Sequence, residues 1–175
     1  MHPLVSPLLL AFVVGSGAAV AQAEEGQLGG FKAGIELREQ AGQRDLGLPL
    51  YPAAKVQRDD ASDKGAVSLG LWGGAFGVRL AVAKFSSEDT FDAVARYYRV
   101  TMAAYGTVLE CREANSGRKS GVKPEADKLS CEDAEPGASG LVLKVGKPKD
   151  QRVVSLQPKG KQVHFQLVRI EAKGD

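Results

Sequence analysis

The chain of 175 residues is 43% hydrophobic and 25% charged, with a formal net charge of +2. That length and balance suit one globular domain with its own core, and no nucleic-acid partner is expected. Glycine is abundant, at 21 residues, which points to many turns and a β-rich fold.

Residues 1–23 read as a cleaved export signal. Leu8 to Val14 form an apolar run too short to span a bilayer, and Ala21-Gln22-Ala23 places small residues where signal peptidase needs them. Cleavage after Ala23 would leave Glu24 as the mature N-terminus. Residues 1–23 hold no Lys or Arg, so the positive end of the signal rests on the α-amino group and His2. No further apolar stretch follows, so the mature chain is expected without a transmembrane segment, in the periplasm or outside the cell.

Residues 24–46 form a polar N-terminal segment that admits a short strand at Ile35 to Arg38. The remaining residues, 47–175, are expected to form a single domain. It opens on Gly47-Leu48-Pro49-Leu50-Tyr51-Pro52, where two prolines fix φ and favour an extended backbone. Gln57 to Gly65 is a polar loop. Asp59, Asp60 and Asp63 within it lack the glycine and terminal glutamate of a calcium loop.

Ala66 to Trp72 and Ala75 to Phe85 flank Gly73-Gly74, a pair suited to a two-residue hairpin turn. With that turn, Leu71 faces Phe76, Leu69 faces Val78 and Val67 faces Leu80. These apolar pairs share one face and are expected to meet the core, with Arg79 on the other face. The Gly70, Gly73, Gly74 and Gly77 series joins strand to strand and lacks the spacing of a dinucleotide loop.

A helix over 90–105 follows. Asp89 suits the N-cap, and Phe91, Val94, Tyr98, Met102 and Tyr105 recur at helical spacing, with Gly106 as a stop. Tyr97-Tyr98-Arg99 is read as half core and half helix surface. Val108 to Cys111 is a strand leading into a polar loop at 112–128.

Cys111 and Cys131 are the two cysteines of the chain. In an oxidising compartment they are expected to pair as a structural disulfide. A redox or metal-binding pair is the alternative. Leu141 to Val145 alternates as a strand, and Arg152 to Pro158 with Gln162 to Ile170 form a second hairpin about Lys159-Gly160. That turn sets Leu156 against Val163, Val154 against Phe165, and Ser155 against His164. The fold class that follows is α+β: an antiparallel sheet of about six strands with one main helix packed on one face.

Chemistry-bearing motifs are few. His164 is the lone histidine after residue 23, so any Ser-His-Asp or Cys-His arrangement would have to be built around it. Residues 141–175 carry eight Lys/Arg against three Asp/Glu. Lys144, Lys147, Lys149, Arg152, Lys159 and Lys161 on one flat face would suit an anionic polymer.

The segment Gly47-Leu48-Pro49-Leu50-Tyr51-Pro52-Ala53-Ala54 resembles the G-L-P-x-Y-P-G-A segment of small exported bacterial proteins whose domain has no known function. The likeness runs on through Asp89, Val94, Tyr97-Tyr98-Arg99, Gly106, Val108 to Cys111, Lys144-Val145-Gly146 and Gln157-Pro158, over most of 47–170. Ala53 stands where that segment carries glycine. The resemblance implies a fold and supplies no active site.

The expected function is therefore that of an exported, non-enzymatic envelope or secreted domain, acting by binding or as a structural component. No catalytic, cofactor-binding or metal-ligating residue is assigned, and no cofactor is expected. An envelope protein or an anionic polymer is the partner class considered. One alternative is an envelope hydrolase or transferase using His164. The other is a basic module that holds an anionic envelope polymer through 144–161.

Overall fold

The computed structural model describes residues 24–28, 31–38, 41–58, 60, 63–117 and 127–174; the signal-like segment 1–23 and Asp59 lie outside these. Among the described residues nine strands form one sheet: β1 (Glu24–Leu28), β2 (Phe31–Arg38), β3 (Lys55–Val56), β4 (Ala66–Gly73), β5 (Phe76–Ser87), β6 (Leu109–Cys111), β7 (Leu141–Lys147), β8 (Asp150–Lys159) and β9 (Gln162–Lys173). Their order is β1-β2-β4-β5-β9-β8-β7-β6, with β3 also against β5. Every pairing is antiparallel. The α+β class stands, while the sheet is larger than the six strands expected. The excess comes from β1 and the two-residue β3, which carry no alternation long enough to read, and from β2, which extends the sheet through β4.

Two helices lie on one face of the sheet. The short α1 (Gln43–Leu46) ends on Gly47, whose φ of 63° is the left-handed conformation glycine adopts without strain. The longer α2 (Phe91–Ala103) buries Val94, Ala95, Tyr98 and Met102. Its N-cap is Thr90, whose hydroxyl accepts from Ala93 N–H, rather than Asp89. Asp89 instead accepts a 2.8 Å hydrogen bond from the Tyr51 hydroxyl. Tyr105 lies beyond the end of α2 and stacks under Arg152, 3.8 Å from its ring centre.

Between helices and sheet sits the main core. Leu46 and Leu48 from the α1 region meet Ala81, Ala83, Phe85, Leu143, Val154, Leu156, Phe165 and Leu167 from the sheet. The extended Leu50-Tyr51 segment is tied to α2 by its backbone: Tyr51 N–H donates to the Tyr98 oxygen at 3.2 Å, and the Tyr97 hydroxyl donates to Leu50 C=O at 2.9 Å. Tyr98 is fully buried and its pKa is raised by that burial, whereas Tyr97 is partly exposed, the division read from the sequence. Ala53, in the glycine position of the motif, has φ of 60°. A left-handed backbone explains why glycine suits that place.

Both hairpin registers differ from those expected by two residues. The turns are Gly74-Ala75 and Gly160-Lys161. Observed pairs are therefore Leu71 with Val78, Leu69 with Leu80 and Val67 with Val82, and in the second hairpin Leu156 with Phe165 and Gln157 with His164. The reason is the glycine: Gly74 and Gly160 have φ of 57° and 61°. They take the first loop position, where a two-residue turn demands positive φ. A shift of two keeps every residue on its side of the strand.

The expected facing is also corrected. Leu69, Leu71, Val78, Leu80 and Val82 share a face, but it is the one turned away from the helices. Ser68, Ala81, Ala83, Phe85 and Ser87 are the buried side chains of the hairpin. The apolar phase flips partway along the strands. On β5 it passes from Val78, Leu80, Val82 to Ala81, Ala83, Phe85, and on β9 from Ile170, Val168 to Leu167, Phe165. On β8 the flip falls at Val153-Val154. The three flips are in register, Val82–Val168–Val153 on one face and Ala83–Leu167–Val154 on the other.

Cys111 and Cys131 bring their sulfurs to bonding distance, with Cα atoms 5.4 Å apart. They lie on the open face at its β6–β7 margin, where the chain after Cys131 folds over Val142 and forms a small second cluster with Ala134. Lys144 is buried there, its ammonium donating to Ser130 C=O at 3.0 Å and to Asp133 at 2.5 Å.

Candidate functional site

Beyond the reach of α2, the helix side of the sheet turns from apolar to charged. Three cross-strand rows make up this end. The outermost is Gly34, Trp72, Gly77 and Lys173; the next is Glu36, Gly70, Arg79, Glu171, Asp150 and Lys147; the innermost is Arg38, Ser68, Ala81, Arg169, Arg152 and Val145. Together with Asp45 of α1, the part on β2, β4, β5 and β9 encloses a groove of about 430 Å³.

Its floor is set by small residues. Trp72 lies across Gly34 so closely that a Cβ there would collide with the indole, and a Cβ at Gly70 would sit 3.5 Å from the same ring. Glycine at position 34 thus lets the ring lie on the sheet, while the 3.5 Å at Gly70 is ordinary packing distance. Asp45 is oriented by accepting the Gly42 N–H at 2.9 Å.

One wall is a ladder of alternating charge. Arg79 faces Glu171 at 3.7 Å; Glu171 accepts from Arg169 at 2.6 Å; the other Arg169 nitrogen lies 2.7 Å from Asp150 as an ion pair outside hydrogen-bond alignment. Arg169 is the anchor, its side chain 8% exposed. It sits directly across from Arg152, an apposition of like charges that would destabilise the pair by itself. The two acids offset it, and Arg152 finds further partners in Gly47 C=O, at 3.0 Å, and the face of Tyr105. Burial and the Arg169 charge both lower the Arg152 pKa. The hydrogen bond from Arg169 holds the Glu171 carboxyl below its ordinary range. The opposite wall carries the Glu36–Arg38 ion pair on β2.

The residues singled out from the sequence lie elsewhere. His164 is on the open face, with Ser86 and Gln157 directly across from it; Ser155 faces Gln166 instead. The six basic residues do not form one flat face. Lys144 is buried beneath the 131–134 loop, and Lys147, Lys149 and Arg152 lie at one end of the β8–β9 pair, with Lys159 and Lys161 at the other. Cys111 and Cys131 are joined to each other, away from the groove. Among the described residues no group of three or more His, Cys, Asp or Glu is arranged to hold a metal ion.

The groove residues themselves went unread. Their signal is the spacing of Arg169, Glu171 and Lys173 in β9, and of Glu36 and Arg38 in β2: charges every second residue place a charged row on one face of a strand. No helix among the described residues is long and apolar enough to cross a membrane. Comparison of the chain with protein-family models, with curated proteins and with solved structures finds no match.

Proposed function

We propose that the chain is an exported, non-enzymatic binding domain, and that the groove over Trp72 holds a polar, hydroxyl-rich ligand of the glycan class. The observation that carries this reading is the make-up of the groove: a flat indole on the floor between walls of paired charges. A sugar ring has an apolar C–H face and a polar rim. The indole suits the face, while guanidinium and carboxylate groups supply donors and acceptors for the rim. Among the lining residues Arg38, Arg79 and Lys173 balance Glu36, Asp45 and Glu171, so the charges favour neither a strong anion nor a strong cation. Export rests on the signal-like residues 1–23 and on the paired cysteines, which suit an oxidising compartment.

Trp72 is the only tryptophan of the chain, so its emission reports on the groove directly. Titration with oligosaccharide fragments of the bacterial envelope is expected to shift that emission saturably, with a dissociation constant of about 0.1–1 mM. Calorimetry on Trp72→Ala and Arg79→Ala should show binding weakened by about tenfold or more. Flat emission and no heat across such a panel would overturn the reading.

A further inference from the structure

On the reverse side of the same sheet end lies an aliphatic face that both helices leave uncovered. Its rows are Ile35, Leu71, Val78 and Ala172; Leu37, Leu69, Leu80, Ile170 and Gln151; and Val67, Val82, Val168 and Val153. Ile35, Leu37 and Val67 are 59%, 53% and 40% exposed. Scattered apolar residues on a surface are ordinary, but a contiguous face of this kind marks an interaction site. The face is also written into the chain: β4 alternates only in its phase, and β5, β8 and β9 each change phase at the same line across the sheet to supply it.

We propose that this face is where a second copy of the chain docks, the two sheets packing face to face about a two-fold axis. The extent of the surface argues for that occupant. Five strands at a spacing of about 4.8 Å and three rows over about 20 Å give about 500 Å² on each copy. The two together bury about 1,000 Å², the lower bound for a specific association and the range of weak dimers. Across β4, β5 and β9 the rows carry no formal charge; in register the first row ends on Glu24 of β1 and the third on Lys144 of β7, which Asp133 pairs, so an isologous pairing meets no like-charge repulsion at its centre. Sheets of the same twist stack with their strands nearly aligned and their apolar side chains interdigitated. Beyond the third row the face turns polar, with Lys84, Gln166 and Ser155, then Ser86, His164 and Gln157, which confines the contact to the far end of the sheet. The groove over Trp72 is on the opposite side and stays open in such a dimer, so this inference stands apart from the ligand reading.

Sedimentation equilibrium tests it. The purified protein should move from monomer mass toward twice that mass as concentration rises, with a dissociation constant of about 100 µM. Leu80→Glu at the centre of the face should weaken association by about a hundredfold. Ile35→Lys changes a side chain already exposed in the monomer, so it should keep the circular dichroism spectrum and still weaken association about tenfold or more. Monomer mass at every concentration up to about 1 mM would overturn the proposal. So would a dimer that survives Ile35→Lys with its affinity unchanged.

Discussion

The two ends of the sheet are opposites. At the helix end, Ala83, Phe85, Phe165 and Leu167 point toward α2 and are buried, while Lys84, Gln166 and His164 point away. At the far end, Arg79, Glu171 and Lys173 occupy the helix side, while Val78, Leu80 and Ile170 point away. Each strand that runs the full length must therefore change the phase of its apolar residues once. Alternation along a strand establishes that two faces differ; it does not say which face meets the core. Only the position of a covering element decides that, and α2 with α1 reaches across part of the sheet.

The sharpest way to break the comparison is to truncate one large side chain on each side of the phase change. Phe165 is buried against Tyr51, Phe85 and Tyr98, with ring centres 5.6–6.3 Å away. Phe165→Ala should cost about 3–5 kcal/mol in denaturant melts. Leu80 lies on the open face and is only partly buried, so Leu80→Ala, measured at low concentration, should cost about 1 kcal/mol. Equal losses would mean that something covers the open face within a single chain.

The third region of the sheet is the β6–β7 margin, where the chain covers the open face with its own loop. Cys111 and Cys131 close 19 intervening residues, and the cluster they hold is small, Cys111, Val142 and Ala134 with a few partly buried neighbours. So little apolar surface cannot fix the loop by burial. Cys131→Ser should lower stability by about 3 kcal/mol and expose Lys144 to modification. The β4–β5 hairpin should keep its amide protection. Unchanged stability, or labelling of two free thiols in the unreduced protein, would contradict the crosslink.

The helix and both hairpins were legible because each is a local pattern. The stripe of Val94, Tyr98 and Met102 needs no knowledge of what it meets, and the two turns announce themselves by glycine. Two kinds of feature were not legible. The registers hinged on whether glycine takes the first or the second loop position, a choice set by backbone φ at a single residue. The core face hinged on tertiary cover, which the spacing within β5 cannot express. The groove was missed for the same reason: Arg79 reads as an outward-facing charge until Glu171 and Trp72 are placed on its neighbours. Cys111 and Cys131 were the exception among distant pairs, since two cysteines leave no rival partner.

Acid acts on both ends of the sheet, through different carboxylates. The apolar half contributes through Phe165 and its ring contacts with Tyr51, Phe85 and Tyr98, none of which is a carboxyl group. At the far end the Glu171 carboxyl is held below its ordinary pKa, first by the hydrogen bond from Arg169 and then by the Arg169, Arg79 and Lys173 charges, against a burial effect that raises it. A depressed folded-state pKa adds stability above the unfolded value of about 4.3, and that contribution is lost as pH falls through the lower folded value. Glu110, bound by Arg99 of α2, behaves the same way. Stability should accordingly drop on the acid side of about pH 4. Glu171→Gln should make that acid limb shallower without abolishing it, because Glu110 and Glu88 remain, the pKa of each lowered by a basic partner. Phe165→Ala should lower the whole curve and leave its slope unaltered. Thermal melts of the three proteins between about pH 2.5 and pH 7 decide the matter: an acid limb as steep in Glu171→Gln as in the native chain would show that the charge ladder adds nothing to the fold.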